Sequence, residues 1–228
     1  MSSDKGFSSK PSTDGRIKAK SGMESRFTAA KMLGRVVSQN TSLDGLLDAA
    51  HGNTHFLKLS LQDRNLVRAL VVTALRHRRA IETLLGKMMD RRPPKGLQFF
   101  SDTMHIAAAQ ILYLDLPDRA AVDLAVTAIG NDRRSSRYKG LANAVLRRLS
   151  REKEALLDGF SESPFPVWFE KRLKRDFGRE KARQIGEMII HEPFVDITVK
   201  TNAGQWADKL NGKALSSSTI RLTDKTAI

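Results

Sequence analysis

The most chemically informative stretch of the sequence reads NDRRSSRYKGLANAVLRRL, residues 131–149. Its opening segment supplies three arginines, and the segment that follows has the apolar spacing of an amphipathic helix. The polar side of that helix carries Lys139, Asn143, Arg147 and Arg148. One side is therefore expected to pack into a core, while the other presents the ammonium, amide and guanidinium donors that bind phosphates.

Residues for other chemistries are missing or badly placed. Cysteine is absent, which excludes disulfides, thiolate metal sites and a cysteine nucleophile. The Gly-x-Ser-x-Gly, P-loop and His-Glu-x-x-His signatures are absent too. His51 and His55 have the spacing of a helical metal pair, but Gly52 and Asn53 disfavour a helix there and no third ligand is near, so we predict no metal site. His105 lies in an apolar segment, and we interpret it as a core residue.

The net charge is +14 and the pI is about 10.3, an excess that attracts polyanions. Lysine and arginine residues are concentrated in the first helix and in residues 64–95 and 131–153. By contrast, 101–130 holds four aspartates against Arg119 alone. This asymmetry favours a dedicated nucleic-acid-binding surface over an evenly solvated basic surface or an anionic membrane partner. No apolar run approaches the ~18 residues of a membrane span and no secretory signal is evident, so we expect a cytoplasmic protein.

Apolar periodicity predicts a helical core. It begins near Glu24 and recurs in segments separated by turn residues. Residues 51–60 are predicted to form a loop. The stretch 63–89 is either one helix or two, broken around residues 76–79. Residues 101–116 are apolar nearly all round, which places that helix in the middle of a bundle.

The character of the sequence changes after residue 160. The Pro-Phe-Pro run at 164–166 marks a boundary, and two short helices follow it, separated at Gly178. Residues 194–200 and 219–222 have the pattern of strands. Two strands make an incomplete sheet, so we expect this end to be the beginning of something longer.

Several motifs occur in an order that matches a known family. They are the Arg-x-x-Ala at 26–29, the Asp63-Arg64 helix start, Arg76, AAAQILYLDLP at 107–117, AAVDLAVTAI at 120–129 and KGLANAVLRRL at 139–149. In this order they resemble the NusB-like family of helical, RNA-associated domains. The chain is most similar to the helical N-terminal part of bacterial small-subunit ribosomal RNA cytosine-C5 methyltransferases, which continue with a Pro-x-Trp helix like that at 166–178. The resemblance covers about residues 24–202.

The resemblance implies an all-α fold, a NusB-like bundle of about seven helices followed by a small, truncated α/β segment. We accordingly expect a disordered basic tail at 1–23 and an RNA-binding helical domain at 24–159. Residues 160–228 would begin a linker or α+β subdomain that precedes a missing methyltransferase domain. The implied partner is structured RNA, in particular small-subunit ribosomal RNA.

The same family implies a Rossmann-like domain that holds S-adenosylmethionine, and a cysteine thiolate that adds to carbon 6 of cytosine. This sequence has no cysteine and no Gly-x-Gly turn after a strand. We therefore expect the chain as given not to be the enzyme, and to use no cofactor and no metal.

Nine residues are predicted to contact RNA, mostly at phosphates. They are Arg26, Lys31 and Arg35 in the first helix, with Arg133, Arg134, Lys139, Asn143, Arg147 and Arg148 in the opening stretch. Arg64 and Arg76 match the family but are as well suited to bracing helices. Tyr138 is the only aromatic residue within the densest basic cluster, so base stacking is not expected to dominate.

Two other functions remain open at this point. One is a stand-alone NusB-like transcription antitermination factor that binds a protein partner and a short RNA. The sequence beyond residue 160 disfavours it, because such factors usually end soon after the Asn-x-Val-Leu-Arg helix. The other is a bundle that binds only proteins, which would show no salt-dependent RNA binding.

Overall fold

A computed structural model describes residues 13–89, 93–94, 96–158, 160 and 163–223. These residues are mostly helical, with three short strands near the C-terminal end. The helices are α1 (Thr13–Gln39), α2 (Leu43–Leu47), α3 (Thr54–Leu57), α4 (Leu61–Arg76), α5 (Arg78–Met88), α6 (Gln98–Tyr113), α7 (Asp118–Asn131), α8 (Lys139–Leu157), α9 (Val167–Ile190) and α10 (Ala203–Lys209). The strands are β1 (Asp196–Thr198), β2 (Gly212–Ala214) and β3 (Thr219–Leu222). The predicted class, a helical bundle followed by a small sheet-containing segment, is confirmed.

The chain divides into two compact units, Met1–Ala182 and Arg183–Ile228. Helix α9 runs from the first into the second, and its backbone is non-helical at Gly178, with φ 80° and ψ 165°. This left-handed φ favours glycine, which has no Cβ to clash there. The predicted separation of two helices at Gly178 is confirmed.

The core of the first unit is built around α6, which is buried along most of its length. Helices α1, α4, α5, α7 and α8 each contribute an apolar face to that core. Its fully buried side chains include Met32, Leu70, Ile81, Met104, Ile129 and Leu146. The central position predicted for residues 101–116 is confirmed, since a helix without a polar face is stable only when neighbours cover it on all sides.

Helix α1 lies especially close to its neighbours. A Cβ added at Gly34 would lie 2.3 Å from the Oδ2 atom of Asp102 on α6, so only glycine permits this approach. Burial raises the pKa of Asp102 to about 6, while Gln98 and Arg78 favour its ionised form. On another side, the Ser25 hydroxyl donates to Asp63 of α4 at 2.6 Å. These contacts fix the position of α1 in the bundle.

The second unit is a small antiparallel sheet of strand order β1-β3-β2, accompanied by α10. Ile197 and Lys213 lie opposite Ile220 and Arg221 of the central strand. Strand β2 was not predicted, because Gly-Lys-Ala carries no β-branched or aromatic signal. Strand β2 pairs with β3 on the side opposite β1, so the two predicted strands belong to a three-stranded sheet.

Two boundaries differ from the sequence predictions, and for residues 63–89 the structure has the second of the two predicted alternatives. Helix α1 begins at Thr13, earlier than the start predicted near residue 24. The predicted loop 51–60 contains the single-turn helix α3, because Asn53 accepts hydrogen bonds from the first backbone N–H groups and Phe56 is buried. Residues 63–89 form two helices, which meet at His77. Residues 1–12 lie outside the described residues, and the predicted domain limits remain predictions.

The Leu146→Asp substitution tests the assigned core face of α8. Leu146 is fully buried, so a carboxylate there loses apolar packing and introduces an unpaired buried charge. We expect the free energy of unfolding, measured by urea titration, to fall by about 4 kcal/mol or more. The matched control is Ala144→Asp on the exposed side of the same helix, which should change it by only about 0.5 kcal/mol. Equal losses in the two variants would contradict the assignment.

Candidate nucleic-acid interface

The loop that joins α7 to α8 is held in one conformation by Asp132 and Ser135. The Oδ2 atom of Asp132 accepts hydrogen bonds from the Ser135 backbone N–H at 2.9 Å and from its hydroxyl at 2.6 Å. Ser135 is fully buried, which seats the middle of the loop against the bundle. Arg133 and Arg134 are exposed on this fixed turn, and neither has a carboxylate partner among the described residues.

Lys139 stands at the junction of this loop with α8. Its Cδ atom lies 3.0 Å from the position that a Cβ at Gly130 would occupy, so the lysine stem packs over the end of α7. Tyr138, just before it, packs its ring 5.7 Å from that of Phe100 on α6. The start of α8 is thereby fixed against both α6 and α7, and the Lys139 side chain remains exposed.

The polar side of α8 continues from Lys139 to Asn143 and Arg147, one turn apart each time. Arg147 donates from Nε to the Asn143 side-chain oxygen at 3.0 Å, so the two residues act as one hydrogen-bonding group. Arg148 differs, because its Nε atom lies 3.1 Å from the Glu152 carboxylate. A neighbouring acid therefore offsets the charge of Arg148 and leaves that of Arg147 available.

Helix α1 contributes two exposed cations, Lys31 and Arg35, which have no carboxylate partner in the part of the chain that the structure describes. The Nζ atom of Lys31 lies 4.4 Å from the ring centroid of Phe27. The Phe27 ring in turn meets Phe99 of α6 edge-on, with centroids 5.5 Å apart.

A groove of about 570 Å³ lies between these residues and the end of α7. Its lining consists of Met23, Glu24, Phe27, Lys31, Phe99, Ala128, Asn131 and Asp132. We call it the α1–α7 groove. It places Lys31 beside the first residues of the basic loop, although the two are far apart in sequence. The structure therefore places Lys31 in one groove with Asn131 and Asp132, which directly precede the loop arginines, and Arg35 follows Lys31 one turn further along α1.

Arg26 belongs to the interior of the bundle rather than to this surface. Its Nε atom donates to the Gln110 side-chain oxygen at 2.8 Å, and its Nη1 atom donates to the Gly22 carbonyl at 2.9 Å. Gln110 is fully buried and donates onward to the Pro117 carbonyl. Burial lowers the pKa of Arg26, and the Asp63 carboxylate partly offsets that effect. This geometry assigns Arg26 a bracing role between α1 and α6.

Arg64 and Arg76 of α4, which belong to the motifs that resemble the family, do not line the α1–α7 groove. Arg64 donates to the carbonyls of Leu59 and Leu57, which terminates the short helix α3. Arg64 thus makes contacts of the bracing kind, which is one of the two roles that its sequence position left open. Arg76 is half-buried in the last turn of α4.

Sequence reasoning missed the aromatic content of the site. It assigned Phe27 to the apolar core face of the first helix, and it did not single out Phe99. Both rings are only partly buried, and both line the α1–α7 groove. No local signal joins them, because their contact depends on how α1 packs against the start of α6.

Other site chemistries find little support within the described ranges. No group of three or more histidine, aspartate or glutamate residues could hold a metal ion there. Burial lowers the pKa of His105, whose Nδ1 lies 2.9 Å from the Ser101 carbonyl, in keeping with its interpretation as a core residue. None of the helices described is long and apolar enough to span a bilayer.

The described residues also contain no domain suited to S-adenosylmethionine. Their sheet is three short antiparallel strands, whereas such domains bind the cofactor at the ends of parallel strands. The sequence also contains no cysteine.

Comparison with known proteins places the helical region in a family. The NusB family model matches residues 23–151. The chain is 34% identical over 165 residues to ribosomal RNA small subunit methyltransferase B of Xanthomonas campestris, covering 70% of this chain and 35% of that protein. It is 31% identical over 205 residues to the Klebsiella pneumoniae protein of the same name, covering 85% and 45%. The chain thus spans less than half the length of these relatives.

The interior role of Arg26 can be separated from the surface role of Arg35 by replacing each with methionine. Arg26→Met leaves the buried Gln110 oxygen without its donor, so we expect the free energy of unfolding to fall by about 2 kcal/mol. Arg35→Met removes an exposed cation from the same helix and should change it by about 0.5 kcal/mol or less. Urea titrations of both variants check this, and a larger loss for Arg35→Met would contradict the assignment.

Proposed function

This chain belongs to the NusB family, and from that premise we propose that its helical unit holds structured ribosomal RNA through phosphate contacts. In this proposal it is the RNA-binding portion of a small-subunit ribosomal RNA cytosine-C5 methyltransferase. The observation that carries the proposal is the set of exposed, unpaired cations around the α1–α7 groove, the following loop and α8. RNA is the polyanion that fits both this surface and the names of the relatives.

The cations differ in whether they have internal partners. Arg26 and Arg64 are committed to carbonyl and amide oxygens, and Arg148 is paired with an acid. The remaining cations among the predicted contacts are exposed and have no carboxylate partner among the described residues; they are Lys31, Arg35, Arg133, Arg134, Lys139 and Arg147. Exposed guanidinium and ammonium groups bind phosphates and release counterions, so affinity for RNA should fall steeply as salt rises.

The proposed role is binding rather than catalysis. The chain spans 35–45% of the relatives' length and contains no cysteine, so we assign the transfer of a methyl group to none of its residues. In a full-length relative, S-adenosylmethionine supplies the methyl group. The residues described here would hold the RNA while another domain reaches the target base.

The stand-alone antitermination factor is the less favoured proposal. Similarity to the Klebsiella methyltransferase covers 85% of this chain, whereas the NusB model covers residues 23–151. That similarity must therefore extend past residue 151, into a region that lies beyond the NusB match. This extent favours a methyltransferase portion.

The double substitution Lys139→Glu with Arg147→Glu tests the proposed surface. It replaces two exposed cations on the polar side of α8 with carboxylates, which repel phosphates and leave the core intact. We expect at least about tenfold weaker binding to a ribosomal RNA hairpin in a filter-binding titration at low salt, and a shallower dependence of affinity on salt.

The matched control is a second double variant that changes the net charge by the same amount at two positions outside the proposed surface. Lys58→Glu with Arg119→Glu alters two exposed cations, one after α3 and one near the start of α7. Because neither lies on the proposed surface, this variant should bind much more tightly than the α8 variant. Equal weakening by both variants would mean that only the overall charge matters, and unchanged binding by the α8 variant would reject the surface.

A further inference from the structure

We propose that the α1–α7 groove accepts one unpaired base of the bound RNA, with Phe99 as the stacking ring. This inference rests on the proposed function, and it specifies the substrate as RNA that carries an unstacked nucleotide rather than a continuous duplex. It also adds one stacking contact to the expectation that base stacking would not dominate, which was drawn from the aromatic content of the basic cluster alone.

The shape of the groove suits a nucleoside. Its volume of about 570 Å³ lies within the range of roughly 300–1,000 Å³ that is usual for small-molecule sites. Met23 and Ala128 add apolar surface to the edge-on pair of Phe27 and Phe99. Lys31 already lies over the Phe27 ring, so we assign the stacking contact to Phe99.

The polar residues of the groove suit a nucleotide better than an apolar ligand. Asn131 offers an amide donor and acceptor to the edge of a base, and Glu24 offers a carboxylate acceptor to an exocyclic amine. Asp132 also lines the groove, with its Oδ2 atom bonded to Ser135, and Lys31 at the groove together with Arg133 and Arg134 directly after Asp132 can bind the phosphates on either side. Cations without acidic partners around an aromatic groove favour a single-stranded nucleic acid over a peptide.

Thr103 supplies an independent sign of an unmet hydrogen bond beside the groove. Its hydroxyl is buried and has no hydrogen-bond partner among the described residues. It lines a small cavity of about 10 Å³ that shares Met23, Phe27 and Ala128 with the groove.

The test compares two RNA hairpins that differ only in one unpaired adenosine in the stem. We expect the full chain to bind the bulged hairpin roughly tenfold more tightly than the fully paired one, as measured by fluorescence anisotropy at one salt concentration. Phe99→Leu keeps the apolar contact but removes the aromatic face, so it should lower the ratio of the two affinities, bulged over paired, to about one. Phe99→Tyr should retain the preference.

The outcomes separate the groove from the RNA-binding surface. Equal binding of the two hairpins by the wild-type chain would overturn the groove inference, even if Phe99→Leu failed to fold. A preference that survives in a folded Phe99→Leu variant would also overturn it. In both cases salt-dependent binding of the paired hairpin would leave the proposed function standing, whereas no binding of either hairpin would remove the function and the groove together.

Discussion

The hydrogen bond from Arg26 to Gln110 fixes the rotation of α1, and the arrangement of the candidate surface depends on it. At 100° per residue, Lys31 and Arg35 lie about 140° and 180° around the helix from Arg26. An arginine that faces the buried Gln110 therefore directs both of them to solvent. The tight approach of Gly34 to Asp102 holds the same rotation about two turns further along the helix axis.

A second constraint acts at the other side of the groove. Asp132 bonds Ser135, which is buried in the bundle, so Arg133 and Arg134 lie on a turn of fixed conformation. A fixed turn costs less conformational entropy when a ligand binds. Hydrogen bonds within the bundle thus determine the positions of the exposed cations.

The sequence predicted those features that arise from periodicity and strong local signals. The apolar segment at 101–116, the two-sided helix at 139–149 and the break at Gly178 all appear in the structure. The roles of individual cations were harder to predict, because the pattern does not distinguish an arginine that faces Gln110 from one that faces solvent. Arg26 and Lys31 are both basic residues of one helix, and only the tertiary packing distinguishes their roles. The pairing of Phe27 with Phe99 depends on the same packing.

The most direct test of the central claim is chemical footprinting of lysines by reductive methylation, with mass spectrometry of the full chain alone and with saturating hairpin RNA. The account predicts that RNA protects Lys31 and Lys139 together, although they lie on different helices, while Lys58 and Lys213 react equally in both samples. The contradictory result is unchanged reactivity of Lys31 and Lys139 in the presence of bound RNA, with protection found at Lys58 or Lys213 instead.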